Sequence, residues 1–118
     1  MTAPDCVFCR IAAGDTEEPA NVVQIWHDAI AIVPLNPVVD GHLIVIPTAH
    51  VADAVEHPAV TASAMFRAAQ LGQSLGSDLN LITSCGPAAT QTIRHLHIHV
   101  VPRRPGDGLA LPWTGVTA

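Results

Sequence analysis

The segment at residues 95–101, His-Leu-His-Ile-His-Val-Val, constrains the fold of this chain more than any other stretch. Its histidines alternate with branched apolar residues, which is the period of a β-strand with one buried face. On such a strand the three imidazoles point to one face, with Cα atoms about 6.6 Å apart, and the apolar side chains point into the core. Imidazole titrates near neutral pH, binds metal ions and can attack phosphorus as a nucleophile. The segment therefore predicts a strand that carries a functional site.

The remaining pattern predicts an α+β domain with a five-stranded antiparallel sheet. Apolar residues recur at helical spacing from Pro58 to Gly76 and indicate one long helix that packs on a core. A short N-terminal helix or turn is expected over Cys6–Ala13. No linker or repeat interrupts the sequence, so residues 1–118 are interpreted as a single domain. The five expected strands are Val22–Trp26, Ile30–Val33, His42–Ile46, Leu79–Ser84 and Ile93–Val101.

Composition argues against several classes of protein. The 118 residues carry a formal net charge of −5, whereas a nucleic-acid partner favours a basic surface. No apolar run approaches the length of about 18 residues that a membrane span needs. The N-terminal residues lack the basic cluster and apolar run of a secretory signal, and the cysteines are odd in number, so a cytoplasmic protein is expected. Only 13% of the residues are charged, which indicates that a second copy covers part of the surface, as in a homodimer.

Further motifs surround the histidine segment. They are Gln91-Thr92-Ile93-Arg94 directly before it, Cys6-Val7-Phe8-Cys9 near the N-terminus, Asn36-Pro37, Gly41-His42-Leu43-Ile44-Val45-Ile46-Pro47 and His50 in the centre, and Pro105-Gly106-Asp107 after it. Together these motifs resemble the histidine triad (HIT) family of nucleotide hydrolases and transferases, and in particular its zinc-containing bacterial branch. The resemblance covers nearly the whole chain. It implies one HIT domain with a HIT-like fold, and it implies a homodimer.

The resemblance also implies that His97, the middle histidine of the triad, is the nucleophile. One ring nitrogen would attack the α-phosphorus of a nucleotide and form a nucleotidyl-histidine intermediate, which water or another acceptor then resolves. The other ring nitrogen would be held as a donor by a backbone carbonyl. His99, Gln91 and Thr92 would donate hydrogen bonds to phosphate oxygens, and His42 would orient the nucleophile from behind. General chemistry agrees, because covalent catalysis divides one hard displacement into two easier ones.

The other candidate substrate contacts are Asn36, Leu35 and Ser84. The candidates for an apolar base pocket are Ile25, Leu35 and Phe8. Two positions depart from the family pattern: Pro34 stands where an acidic or amide residue usually binds the ribose hydroxyls, and Ser84 stands where asparagine is common near the phosphate. Because the proline side chain has no donor or acceptor, the ribose is expected to be held by Asn36 or by a backbone group, or to be held less tightly.

Cys6 and Cys9 have the spacing of two metal ligands, and a tetrahedral zinc site needs two more. The resemblance supplies these as His50 and His95. A site closed by four protein ligands is structural rather than catalytic, so structural zinc is the favoured hypothesis. Two alternatives remain open. One is a redox-active Cys-x-x-Cys, although no thioredoxin-like βαβ pattern surrounds it, and the other is a pair of ordinary buried thiols.

The expected activity is cleavage at the α-phosphate of a nucleoside phosphoramidate or a dinucleoside polyphosphate. One alternative is a nucleotide-binding or scaffold protein with little turnover. Another is a zinc hydrolase that uses a metal-bound water, since alternating histidines can also bind metal. The intact triad, together with Gln91 and Thr92, favours the nucleotidyl-transfer hypothesis.

Overall fold

A computed structural model of the chain describes residues 5–15 and 21–113. Within these ranges one five-stranded antiparallel sheet is combined with one long and one short α-helix, which confirms the predicted α+β fold. In chain order the elements are α1 (Val7–Ala12), β1 (Asn21–Ile25), β2 (Ala29–Val33), β3 (Leu43–Pro47), α2 (Pro58–Leu75), β4 (Leu79–Ile82), a 3₁₀ turn (Pro87–Ala89) and β5 (Ile98–Pro102).

The strands lie in the order β1-β2-β3-β5-β4, and every neighbouring pair is antiparallel. β1 and β2 form the predicted hairpin. β5 lies between β3 and β4, so the strand that carries the end of the histidine triad is inside the sheet and its position is fixed from both sides. β2 and β3 are rich in isoleucine and valine, which suits strands that are buried on both faces.

Each face of the sheet carries a separate apolar core, because successive side chains of a strand point to opposite faces. α2 covers one face, and α1 covers the other. The buried residues of the α2 core are Ala29, Ala31, Val45, Val51, Ala64, Ala68, Leu96, Ile98 and Val100. Those of the α1 core are Phe8, Ile30, Ile32, Ile44 and Ile46.

The long helix agrees with its prediction over almost its whole length. Pro58 occupies its first turn, where the missing N–H is not needed, and Gly76 ends it in the left-handed region with φ +65°. The buried Ala64 and Ala68 have small side chains, so the helix lies close to the sheet. Leu75, the last residue of the helix, is 37% exposed. None of the helices in the described ranges has both the length and the apolar character needed to cross a membrane.

The strand of the histidine triad is shorter than the sequence predicted. The prediction covered Ile93–Val101, whereas β5 begins five residues later. In the β3–β5 register, an extension of the ladder would place Leu96 opposite Pro47. Proline has no N–H to donate, so the ladder ends before that pair. The Leu96 N–H donates instead to the Val51 carbonyl at 2.8 Å. The first two histidines of the triad therefore lie in the irregular segment before β5.

Candidate active site and metal site

His97 lies directly before β5, and its ring has a fixed orientation. Its Nδ1 is 2.8 Å from the main-chain carbonyl oxygen of His95. Because a carbonyl oxygen only accepts, Nδ1 carries the hydrogen and Nε2 carries the lone pair. The ring of Phe8 packs edge-on against this imidazole, with the centroids 5.1 Å apart. Burial lowers the pKa of His97, against the opposing effect of the carbonyl hydrogen bond. The result is a neutral ring with Nε2 available as a nucleophile.

His99, the first triad member inside the strand, forms a pair with His42. The main-chain N–H of Val38 donates to His42 Nδ1 at 3.1 Å, so that nitrogen is the acceptor and His42 Nε2 carries the hydrogen. His42 Nε2 lies 3.0 Å from His99 Nδ1 and donates to it. His99 is thereby left with its hydrogen on Nε2, where it can donate to an anion. One backbone amide thus sets the tautomers of two rings.

Both rings of this pair are held neutral. Burial lowers the pKa of His42. Burial, together with the nearby His97 and His42, lowers the pKa of His99 to about 4. The sequence-based expectation placed His42 behind the nucleophile, whereas the structure places it against His99, with ring centroids 5.2 Å apart. The rings of His97 and His99 are likewise 5.2 Å apart, so these two imidazoles form one surface.

Thr83 also contributes to this surface, and sequence reasoning missed it. Its hydroxyl donates to the main-chain carbonyl of His97 at 2.8 Å. The backbone pairing of β4 with β5 ends at Ile82 and His99. Beyond that pair, the Thr83 side chain provides the link between the two segments. A threonine at the end of a strand is common in any sheet, so no sequence pattern indicates this role.

Gln91 has partners other than the expected phosphate. Its side chain is buried, with 6% exposure. The amide nitrogen donates to the main-chain carbonyls of Ala52, at 2.7 Å, and Ile93, at 3.0 Å. The amide oxygen accepts from the Gly86 N–H at 2.8 Å and from the Arg94 guanidinium at 2.7 Å. In this structure both amide hydrogens are therefore directed at protein carbonyls.

The other predicted substrate contacts are exposed or half-buried. Thr92 follows Gln91 and is exposed, and Ser84 is half-buried at the end of β4. Asn36 is exposed in the loop between β2 and β3. Leu35 in the same loop is 91% exposed, so the structure does not enclose it in the apolar pocket that was expected for the base.

The predicted metal ligands come together although they are far apart in the sequence. One ligand atom each from Cys6, Cys9, His50 and His95 lies within 4.8 Å of all the others. His95 Nδ1 is 3.3 Å from Cys6 Sγ, 3.5 Å from Cys9 Sγ and 3.1 Å from His50 Nδ1. Cys9 Sγ is 3.3 Å from His50 Nδ1. Two thiols and two imidazoles at such spacing could hold one metal ion.

The ring of His95 is fixed for this task by its other nitrogen. Nε2 is 2.8 Å from the carbonyl oxygen of Pro47, so it carries the hydrogen and leaves the Nδ1 lone pair facing the cysteines. The side chain is fully buried. Phe8, between the two cysteines in sequence, packs edge-on against His95 with the centroids 5.9 Å apart. The four candidate metal ligands and the His97–His99 surface therefore share the segment before β5, and the Phe8 ring packs against both.

A model of the HIT domain matches residues 15–106 of this chain. An uncharacterised HIT-like protein of Mycobacterium tuberculosis is 36% identical, with 90% of this chain and 76% of that protein covered. The protein named hit of Bacillus subtilis is 31% identical, and the match covers 94% of this chain and 80% of that protein. An adenylylsulfatase of Arabidopsis thaliana is 36% identical over 89% of this chain and 55% of its own length.

Solved structures agree with these sequence matches. A HIT family hydrolase from Clostridium thermocellum superposes with a TM-score of 0.78 at 31% identity, covering 89% of this chain and 96% of that one. A zinc-bound histidine triad family protein from Mycobacterium smegmatis superposes with a TM-score of 0.74 at 36% identity, covering 90% and 80%. The geometry of the three histidines, the sheet order and these matches lead to one conclusion: the chain belongs to the HIT domain family.

Proposed function

We propose that the protein is a nucleotide hydrolase or nucleotidyl transferase that acts at the α-phosphate of a nucleoside phosphoramidate or a dinucleoside polyphosphate. One observation carries the proposal: Nδ1 of His97 is 2.8 Å from the His95 carbonyl oxygen, so Nδ1 carries the hydrogen and Nε2 carries the lone pair. An imidazole in this state has a nucleophilic Nε2 at neutral pH without a separate general base. The adenylylsulfatase relative, which is named for a nucleotide substrate, supports the same substrate class.

The proposed reaction has two displacements at one phosphorus. In the first, Nε2 of His97 attacks the α-phosphorus, a phosphorus–nitrogen bond forms, and the bond to the leaving group breaks with its electron pair. In the second, water attacks the same phosphorus, the bond to His97 breaks, and a proton is released as the nucleoside monophosphate leaves. In a transfer reaction another acceptor takes the place of water. The first displacement uses the neutral ring of His97, and the second restores it.

His99 stabilises the charge on the phosphate in this proposal. Its Nε2–H is fixed as a donor through His42 and Val38, and the Thr92 hydroxyl, exposed beside the triad, is a second donor. A well-placed donor to a developing oxyanion is worth about 3 to 4 kcal/mol of transition-state stabilisation. His42 then acts on the substrate indirectly, by orienting His99.

Structural zinc is the second part of the proposal, and it assigns the protein to the zinc-containing bacterial branch of the family. Tetrahedral zinc with thiolate and imidazole ligands has ligand–ligand distances of about 3.3 to 3.8 Å. Four of the six ligand pairs among Cys6, Cys9, His50 and His95 are 3.1 to 3.5 Å apart, near that range, and all six are within 4.8 Å. Four protein ligands leave no open position for a substrate water, which argues against a zinc-hydroxide hydrolase. The zinc-bound relative of Mycobacterium smegmatis supports the choice of metal.

A homodimer is the third part of the proposal. The outer face of α2 carries Ala59, Ala62, Phe66 and Ala69, all of them exposed. Phe66 is 57% exposed, and a stripe of this kind on a long helix suits packing against a second copy. Phe66→Glu is expected to convert a dimer into a monomer in sedimentation velocity. Val55→Glu, at a residue that is 72% exposed outside the helix, is the control. A wild-type monomer would contradict this part.

The activity is tested with a panel of adenosine and guanosine phosphoramidates and dinucleoside polyphosphates. The wild type should release the nucleoside monophosphate, and an alkaline quench of the reaction should show a protein adduct with the mass of one nucleotidyl group. His97→Ala should lose both the adduct and the turnover, whereas His57→Ala, which changes an exposed histidine outside the site, should keep both. Nucleotide binding without any cleavage would instead favour a binding or scaffold role.

A further inference from the structure

We propose that Gln91 is a positioning residue that holds the main chain of the segment before β5, rather than a ligand of the phosphate, and that Arg94 and Asp53 fix the orientation of its amide. The inference rests on the proposed nucleotidyl transfer, because it concerns which residues prepare that site. We call Gln91 and its three main-chain partners the amide clip; the partners are Gly86, Ala52 and Ile93.

The clip uses the full hydrogen-bonding capacity of the side chain. A primary amide has two N–H donors and an oxygen that accepts two hydrogen bonds. The donors of Gln91 are directed at Ala52 and Ile93, at 2.7 and 3.0 Å. The oxygen accepts from the Gly86 N–H and from Arg94, at 2.8 and 2.7 Å. A hydrogen bond to phosphate would have to replace one of these bonds in a side chain that is only 6% exposed.

The clip joins two segments that are distant in sequence at the point where they support the triad. Ala52 follows Val51, whose carbonyl accepts the Leu96 N–H at 2.8 Å, and the metal-ligand candidate His50 comes one residue earlier. Ile93 lies two residues before His95. The clip therefore anchors the start of the triad segment to the chain between β3 and α2. A displacement there would move the carbonyl that fixes the nucleophile's tautomer.

Arg94 and Asp53 explain why the amide keeps one orientation. Arg94 Nη1 donates to the Gln91 oxygen and is 3.4 Å from Asp53 Oδ2. Asp53 is 8% exposed, and its Oδ1 accepts from the Val55 and Glu56 N–H groups at 3.0 and 3.1 Å. The rigid carboxylate holds the guanidinium, and the guanidinium favours the oxygen of the amide over its nitrogen on that side. A rotated amide would place N–H groups against both Arg94 and the Gly86 N–H.

The loop that the clip closes is strained. Thr90, directly before Gln91, has φ +74° and is the only non-glycine residue with positive φ in the described ranges. A β-branched residue in the left-handed region is unfavourable and persists only where the surroundings hold it. The backbone bond from the Gln91 N–H to the Gly86 carbonyl, at 3.1 Å, closes the same turn. Side chain and main chain of one residue thus hold the turn together.

The test compares Gln91→Met, which keeps a similar volume without hydrogen bonding, with Arg94→Gln. The Arg94 side chain is 51% exposed, so its variant should fold even if the buried change does not. Arg104→Gln removes the same charge from an exposed arginine outside the clip and is the matched control. Each protein is measured for kcat and KM on adenosine 5′-phosphoramidate, for AMP affinity, and for hydrogen exchange of the Gly86 amide.

We expect Gln91→Met to speed exchange at Gly86 by about tenfold or more and to lower kcat by about 10- to 100-fold through misplacement of the nucleophile. AMP affinity and KM should change by less than about threefold, since no phosphate contact is lost. Arg94→Gln should move exchange and kcat in the same direction by less, and the double variant should fall short of additivity. Arg104→Gln should match the wild type.

Two results would overturn the inference. A large loss of AMP affinity in Gln91→Met with unchanged exchange at Gly86 would make Gln91 a phosphate ligand. Faster exchange at Gly86 with unchanged kcat would make the clip purely structural. The exchange and AMP-binding measurements need no turnover, so they decide between clip and phosphate ligand even if the wild type cleaves no substrate, a result that would by itself refute the proposed function.

Discussion

Thr83→Val tests whether the Thr83 hydroxyl holds the main chain of His97, the proposed nucleophile. Valine has the shape of threonine, so the substitution removes the 2.8 Å hydrogen bond to the His97 carbonyl and changes little else. A net hydrogen bond contributes about 0.5 to 1.5 kcal/mol, and a partly buried acceptor left without a partner adds to the loss. We expect the free energy of unfolding to fall by about 1 to 2 kcal/mol. We also expect a reduced kcat, because the freed carbonyl belongs to His97, the proposed nucleophile.

The measurement is urea unfolding at fixed protein concentration, because association would change the apparent stability. Thr83→Ser is the matched control: it keeps the hydroxyl and loses only a methyl group, so it should lose about 1 kcal/mol or less and keep most of kcat. A Thr83→Val protein as stable and as active as the wild type would refute this assignment. A serine variant that loses as much as the valine variant would show that the methyl group, rather than the hydrogen bond, stabilises the loop.

Three further results are expected. Thr90→Gly should raise the free energy of unfolding by about 1 kcal/mol in urea titrations, because glycine tolerates the left-handed backbone; an unchanged or lower stability would contradict the strain. Cys9→Ala should lower both the bound zinc measured by mass spectrometry and the melting temperature, and in the wild type a chelator should lower stability before it lowers kcat. The folded pKa of His99 is about 4 against an ordinary 6.5. The neutral ring should therefore make its full contribution to the free energy of unfolding above pH 6.5. That contribution should be lost as the pH falls toward 4, by about 1 to 2 kcal/mol after allowance for partial exposure. His99→Gln should flatten that part of the pH profile, and a profile as steep as that of the wild type would contradict the shift.

Local pattern was enough to predict most of the architecture. The alternation of histidine with apolar residues predicted the strand, the helical spacing predicted α2, and the Cys-x-x-Cys spacing predicted two of the four candidate metal ligands. The sequence pattern could not predict features that depend on how the strands pair across the sheet. The prediction that β5 begins at Ile93 was wrong, because in the observed register Pro47 lies opposite Leu96 and ends the ladder. That register is a property of two strands, not of either sequence alone.

The same limit applies to side-chain partners. The family resemblance implied that Gln91 donates to phosphate, and it could not indicate that one of its hydrogen-bond partners in the structure is Ala52, 39 residues away. His42 was expected behind the nucleophile, and its contact is with His99, 57 residues away. Such contacts depend on distances of a few tenths of an ångström that only the packed chain defines. The four candidate metal ligands that come together were thus named from the sequence, whereas the hydrogen-bond partners of Gln91 and His42 were not.

Main-chain atoms decide where the hydrogens sit on the imidazoles of the site. The Pro47 carbonyl does so for His95, the His95 carbonyl for His97, and the Val38 amide for His42 and, through it, for His99. Peptide groups remain when side chains are exchanged. Substitutions of neighbouring side chains should therefore leave the hydrogens of these four rings where they are, as long as the backbone keeps its path.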